Sequence, residues 1–140
     1  MKIAVFTDSY INQPSAVSAN IAVLKSGLQK LGHEVLTVSC ELEADDCYMQ
    51  GQTVFCPAKI SAGLYGQAPK DNRLRAVAHL TDQFAPEVVH IVTFGAMGIF
   101  GLQYARKRGL PVLTTLYNLH DITHGYGPNS FMEKIHLRKS

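Results

Sequence analysis

Three polar stretches of this 140-residue chain carry the side chains that could do chemistry. The first holds Asp8 and Ser9, followed by Pro14, Ser15 and Ala16. The second is Thr93-Phe94-Gly95, and the third runs from Tyr117 and Asn118 through His120 and Asp121 to His124. A carboxylate at the end of an apolar strand, as Asp8 is, could accept a phosphoryl group, but that chemistry needs a second acidic residue beside it to hold magnesium, and none is adjacent. Asp8 also reads more simply as a turn residue closing its strand. His120 and His124 are four apart, which on a helix would suit a metal, yet Asp121, Gly125 and Pro128 mark the stretch as loop, so no metal is assigned. Cradles for phosphate are missing as well. A dinucleotide fold needs G-x-G-x-x-G at the first turn so that backbone amides approach a pyrophosphate, and DSYINQPSAVSAN contains no glycine. No cofactor is expected. His90, inside an apolar run, reads as a hydrogen-bonded core histidine, and no set of nucleophile, base and orienter is picked out by spacing.

The elements that must position these residues follow from periodicity. Residues 2–7 are a short apolar run of the kind that forms a parallel strand buried on both faces, with Asp8-Ser9 as the turn behind it. Val17, Ile21, Leu24, Leu28 and Leu31 then advance by four, three, four and three residues, one stripe of an amphipathic helix that ends at Gly32. Further strands are expected at residues 34–39, 53–56, 87–92 and 112–116. A second helix carries Leu74, Val77, Leu80 and Phe84 and ends at Pro86. A third runs over residues 96–108, where Gly98 and Gly101 would let its backbone approach the sheet or a ligand. The acidic run 41–46 and the Gly/Pro-bearing stretch 58–70 read as loops. The result is an α/β fold: an open parallel sheet of about five strands in the order 3-2-1-4-5, with helices on both faces. Loops 8–16, 93–98 and 117–127 converge at the point where the strand order reverses.

Composition narrows the function classes. With 46% hydrophobic and 17% charged residues the chain is an ordinary globular domain, not a disordered or fibrous one. A net charge of +2 is too small to argue for nucleic acid, and no apolar run approaches the ~18 residues that span a bilayer. The N-terminus shows no signal-peptide pattern, which makes the cytoplasm the expected location. Cys40, Cys47 and Cys56 are odd in number and spaced seven and nine apart, fitting neither a zinc knuckle nor a disulfide framework, so they read as plain reduced cysteines.

Two segments resemble a known family. KIAVFTDSYINQPSAVSANIAVLKSGLQKLGHEV looks like the start of a family-4 glycosyltransferase of the GT-B fold, and PEVVHIVTFGAMGIFGLQYARKRGLPVLTTLYN is similar to that family's P-D-V-V-H-I, T-x-G-x-x-G, A-R-x-x-G-x-P-V and T-x-H-T series in order and spacing. The resemblance implies a single Rossmann-like N-terminal domain over residues 1–129, followed by a short basic helix or tail at 130–140. It implies that this domain binds an acceptor, a lipid, sugar or small alcohol, and that a nucleotide sugar binds in a second domain supplied by another chain or missing. Such a half is expected to be inactive alone.

By the same resemblance Asp8, Ser9, Pro14, Ser15, Ala16, Thr93, Phe94 and Asn118 would bind substrate, and Tyr117, His120 and Asp121 would be catalytic. The sequence departs from the family at three places. Pro14-Ser15-Ala16 stands where a glycine pair approaches the donor diphosphate, Phe94 where an acidic residue follows the threonine, and Tyr117 where the histidine of T-x-H-T falls. These departures motivate a second reading, a non-catalytic sugar- or lipid-binding or regulatory module on the same fold. A stand-alone nucleotide-binding flavodoxin-like domain is a third. Lys134, Arg138 and Lys139 with Phe131 and Ile135 would give peripheral contact at the inner membrane face, and self-association is expected through the face a GT-B half turns to its partner.

Overall fold

The computed structural model describes residues 1–10, 15–41, 46–57, 71–93 and 95–115. Among the described residues the elements in chain order are β1 (Lys2–Tyr10), α1 (Ala16–Lys30), β2 (Glu34–Glu41), β3 (Tyr48–Gln50), β4 (Thr53–Pro57), α2 (Asp71–Phe84), β5 (Val88–Ile91), α3 (Ala96–Arg108) and β6 (Val112–Thr114). The sheet order is β3-β4-β2-β1-β5-β6. Its five parallel strands reproduce the expected order, and β1 is central, with Ile3 opposite Val35 of β2 on one side and Val88 of β5 on the other.

That central place explains the apolar composition of β1. Successive side chains point to opposite faces, so Ile3 and Val5 join Val35 and Ile21 beneath α1, while Ala4 and Phe6 join Leu36, Val89, Met97 and Tyr104 beneath α2 and α3. Helices therefore cover both faces. The second of these clusters is the larger because two helices seal it and one seals the other.

Three details differ from the sequence reading. A sixth strand, β3, pairs antiparallel with β4 at the sheet edge and makes the sheet mixed. Its three residues are all exposed, so no apolar pattern announces it; the left-handed φ of +61° at Gly51 is what reverses the chain into β4. Strand β1 continues through Asp8 and Ser9 to Tyr10, with a register shift after Phe6, so Asp8 is a strand residue and not a turn residue. Leu31 is 75% exposed although it continues the apolar stripe of α1. It is the C-cap, where the helical rotation has already ended, and Gly32 behind it turns the chain at φ +90°. The remaining stops behave as their residue types require. Gly109 takes the left-handed conformation after α3, and Ala85 (φ 57°) with Pro86 closes α2.

Candidate functional site

The carboxyl ends of β1 and β5 are joined by one buried carboxylate. Ala4, Phe6 and Asp8 lie on the same face of β1, so the alternation that puts two apolar side chains under α3 also puts the Asp8 carboxylate at the N-terminus of that helix. The N-cap of α3 is Gly95, which has no side chain with which to cap. Asp8 takes over the function from 87 residues away: its Oδ2 accepts the Gly95 amide at 2.8 Å and the Gly98 amide at 3.3 Å, and its Oδ1 accepts the Met97 amide at 2.6 Å. Thr93 closes the ring in both directions. Its hydroxyl accepts from the Asp8 amide at 2.6 Å and donates to Asp8 Oδ2 at 2.7 Å.

Asp8 is only 3% exposed, and burial pushes its carboxyl above the usual range against the pull of the Met97, Thr93, Gly98 and Gly95 donors. The consequence for ligands is direct. The free amides and positive dipole end of α3 would suit an anion, and the protein's own carboxylate already occupies them.

The corner depends on glycine. A Cβ on Gly95 would lie 2.6 Å from the Asp8 carboxyl carbon, one on Gly98 1.9 Å from the Thr93 carbonyl oxygen, and one on Gly101 2.7 Å from the Phe6 ring. Gly98 and Gly101 thus serve close approach to the sheet. Gly95 makes room for the carboxylate itself.

Around this corner the polar groups are softer. Ser9 is half-buried, and its hydroxyl lies 2.7 Å from that of Thr7. Ser15 caps α1, its hydroxyl accepting the Ser18 amide at 3.0 Å while the Ser18 hydroxyl accepts the Ser15 amide, a capping box in which a second serine replaces the usual Glu or Gln. Ala16 opens the helix and is exposed. From Ser15 a groove of about 370 Å³ runs along α1, lined by Ser18, Ile21, Ala22, Lys25, Thr37 and Thr53. At the neighbouring strand ends His90 Nε2 meets the Thr115 hydroxyl, and burial holds the imidazole below its usual pKa, toward the neutral form.

Of the residues singled out by sequence, the structure brings Asp8 and Thr93 into contact and sets Ser15 and Ala16 at the start of α1. Pro14, Phe94, Tyr117, Asn118, His120 and Asp121 lie outside the described residues. So do the basic tail and His124. What sequence reasoning missed is the set of backbone amides at Gly95, Met97 and Gly98, together with Thr115. The available signal was three glycines at every third position, Gly95, Gly98 and Gly101, facing a strand that ends in Asp. Among the described residues no group of three or more His, Cys, Asp or Glu side chains could hold a metal, and no helix is long and apolar enough to cross a membrane. The arrangement is a buried, hydrogen-bonded corner at the carboxyl edge of the sheet, with the N-terminus of α3 already filled by the Asp8 carboxylate.

The family model described as Glycosyltransferase Family 4 matches this chain over residues 18–139. An "Alpha-monoglucosyldiacylglycerol synthase" of Streptococcus pneumoniae is 25% identical over 121 residues, covering 86% of this chain and 27% of that protein. A protein of the same name from Acholeplasma laidlawii is 29% identical over 129 residues, covering 89% of this chain and 32% of that protein. The chain therefore spans between a quarter and a third of the length of these curated relatives.

Proposed function

Because the chain belongs to glycosyltransferase family 4, we propose that it forms the acceptor-side wall of a GT-B active site, and that the acceptor is a glycerolipid. The observation that carries the proposal is the family match over residues 18–139, joined to relatives whose name describes a glucosyl group on diacylglycerol. In the reaction a hydroxyl of the acceptor attacks the anomeric carbon of a nucleotide sugar, and the nucleoside diphosphate leaves.

The geometry suits the acceptor side. The N-terminus of α3 is filled by Asp8, and the first loop has no glycine, so neither is a ready cradle for a diphosphate. In this reading Asp8 and Thr93 are positioning residues: they fix the turn 93–98 and do not touch substrate. Acceptor binding is assigned to Ser9, Pro14, Ser15, Ala16, Phe94 and Asn118 by the family resemblance. Tyr117, His120 and Asp121, which follow Thr115 by chain position, carry the proton chemistry. The donor domain comes from another chain or from a further part of this one.

The experiment is transfer of labelled glucose from a nucleotide sugar to diacylglycerol in vesicles, with the chain alone and with a family-4 donor domain added. Transfer only in the presence of the donor domain is the expected result. Transfer by the 140 residues alone would overturn the requirement for a second domain. Saturable binding of the vesicle lipid with no turnover under any condition would instead favour the non-catalytic module, for which Ser15-Ala16 and Phe94 at the family's glycine and acidic positions speak.

A further inference from the structure

At the carboxyl ends of β2 and β4, away from the α3 corner, the three cysteines stand in a row across one side of the sheet. Cys40 of β2 is paired in register with Cys56 of β4, and Cys47 precedes β3 at the place where the antiparallel ladder, with Tyr48 opposite Phe55, would put it opposite Cys56. The Cys47 and Cys56 sulfurs are 3.5 Å apart, and the Cys47 sulfur is also 3.3 Å from the Arg73 carbonyl oxygen in the first turn of α2. We propose that Cys47 and Cys56 are a reactive dithiol that a hydroperoxide oxidises reversibly to an intramolecular disulfide, with Cys47 as the attacking thiol and Cys56 as the resolving one.

Accessibility sets the roles. Cys47 is half-buried, whereas Cys56 and Cys40 are buried, so only Cys47 meets an oxidant from solvent. Acidity agrees with this. The Cys56 thiol beside it and the Arg73 guanidinium hold the Cys47 thiol below the usual range, while burial and the Asp8 charge push Cys40 up and keep it protonated.

The step balances. The Cys47 thiolate attacks a peroxide oxygen, the O–O bond breaks, and the leaving oxygen takes back the proton that the thiol had released, giving a sulfenic acid and water or an alcohol. The Cys56 sulfur then attacks the Cys47 sulfur, the S–S bond forms as the S–O bond breaks, and the Cys56 proton leaves with the sulfenic oxygen as water. Two thiols are oxidised by two electrons, and the peroxide O–O bond is reduced. Oxidation removes the Cys47 S–H that meets the Arg73 carbonyl oxygen, so a hydrogen bond to α2 is exchanged for a covalent link to β4.

The test treats the chain with hydrogen peroxide, alkylates it, and maps its peptides by mass spectrometry without reduction. The expected result is a Cys47–Cys56 linked peptide within single chains, Cys40 recovered as the free thiol, and full reversal by dithiothreitol. Cys47 should be lost about tenfold faster than Cys40. Cys47→Ser and Cys56→Ser should each abolish the link and Cys40→Ser should retain it. The unsubstituted chain decides the matter even if a variant fails to fold. Linkage through Cys40, links only between chains, or Cys47 running on to sulfinic acid with Cys56 untouched would each overturn the proposal.

Discussion

The two helices that follow the central strands β1 and β5 meet the sheet in opposite ways. Helix α3 lies flush on β1 and β5 through Gly98 and Gly101, and its N-terminus is stapled by a carboxylate from another strand. Helix α1 buries one residue fully, Ile21, caps itself with neighbouring serines, and leaves Val23 73% exposed. One helix is fixed by contacts across the chain and the other by contacts within its own first turn. The difference teaches where this domain is most firmly tied together, at the α3 corner.

The largest effect should come from adding one methyl group to α3. Gly98→Ala puts a carbon 1.9 Å from the Thr93 carbonyl oxygen, so the helix and the backbone that follows β5 must part, and we expect a loss of about 3 kcal/mol or more in denaturant unfolding despite the better helix propensity of Ala. The same change on α1 should reverse sign. Nothing lies within 4 Å of a Cβ at Gly27, so Gly27→Ala should stabilise by about 0.5–1 kcal/mol. Equal effects at the two positions would break the comparison.

Removing each helix's cap sharpens it further. Asp8→Ala leaves buried amides at Gly95 and Met97 and the Thr93 hydroxyl without their acceptor, and should cost about 3 kcal/mol. Asp8→Asn keeps one acceptor oxygen and should cost less. Ser15→Ala, at the exposed cap of α1, should cost about 1 kcal/mol. If Ser15→Ala proved the more damaging of the two, the assignment of rigidity to the α3 corner would be wrong.

The smallest effect is a pH dependence. Burial lowers the pKa of His90, so the unfolded chain takes up a proton first as pH falls. The contribution of neutral His90 is complete above about pH 6.5, the ordinary histidine value, and is lost as pH drops through that value toward the folded one, with a slope of at most ~1.4 kcal/mol per pH unit. His90→Gln should flatten the stability curve between pH 7.5 and 5.5. An unchanged slope would show that His90 does not titrate in that window.

At the α1–β2 side the sequence is legible because its signals are local. The four-three-four-three apolar spacing and the stop at Gly32 lie within one helix length, and only Leu31 misleads, since it keeps the period one residue after the rotation ends. At the α3 corner the signals are not local. Asp8 read as a turn former because nothing near it in sequence accounts for a buried carboxylate, and its donors come from residues 85 to 90 positions away. The catalytic residues expected at Tyr117, His120 and Asp121 lie outside the described part of the chain, and the proposal for them rests on the family resemblance.

The sequence by itself determined the five parallel strands, their order, the ends of the three helices and the family, because side-chain periodicity, glycine and proline act over a few residues and the motifs recur in fixed spacing. Only the tertiary structure decided that Asp8 caps α3, that Gly95 exists to admit a carboxylate, that an exposed edge strand joins the sheet, and that Cys47 meets Cys56. Each of these depends on two segments meeting across the sheet or its edge, and a one-dimensional pattern carries no record of which buried polar group will find which donor.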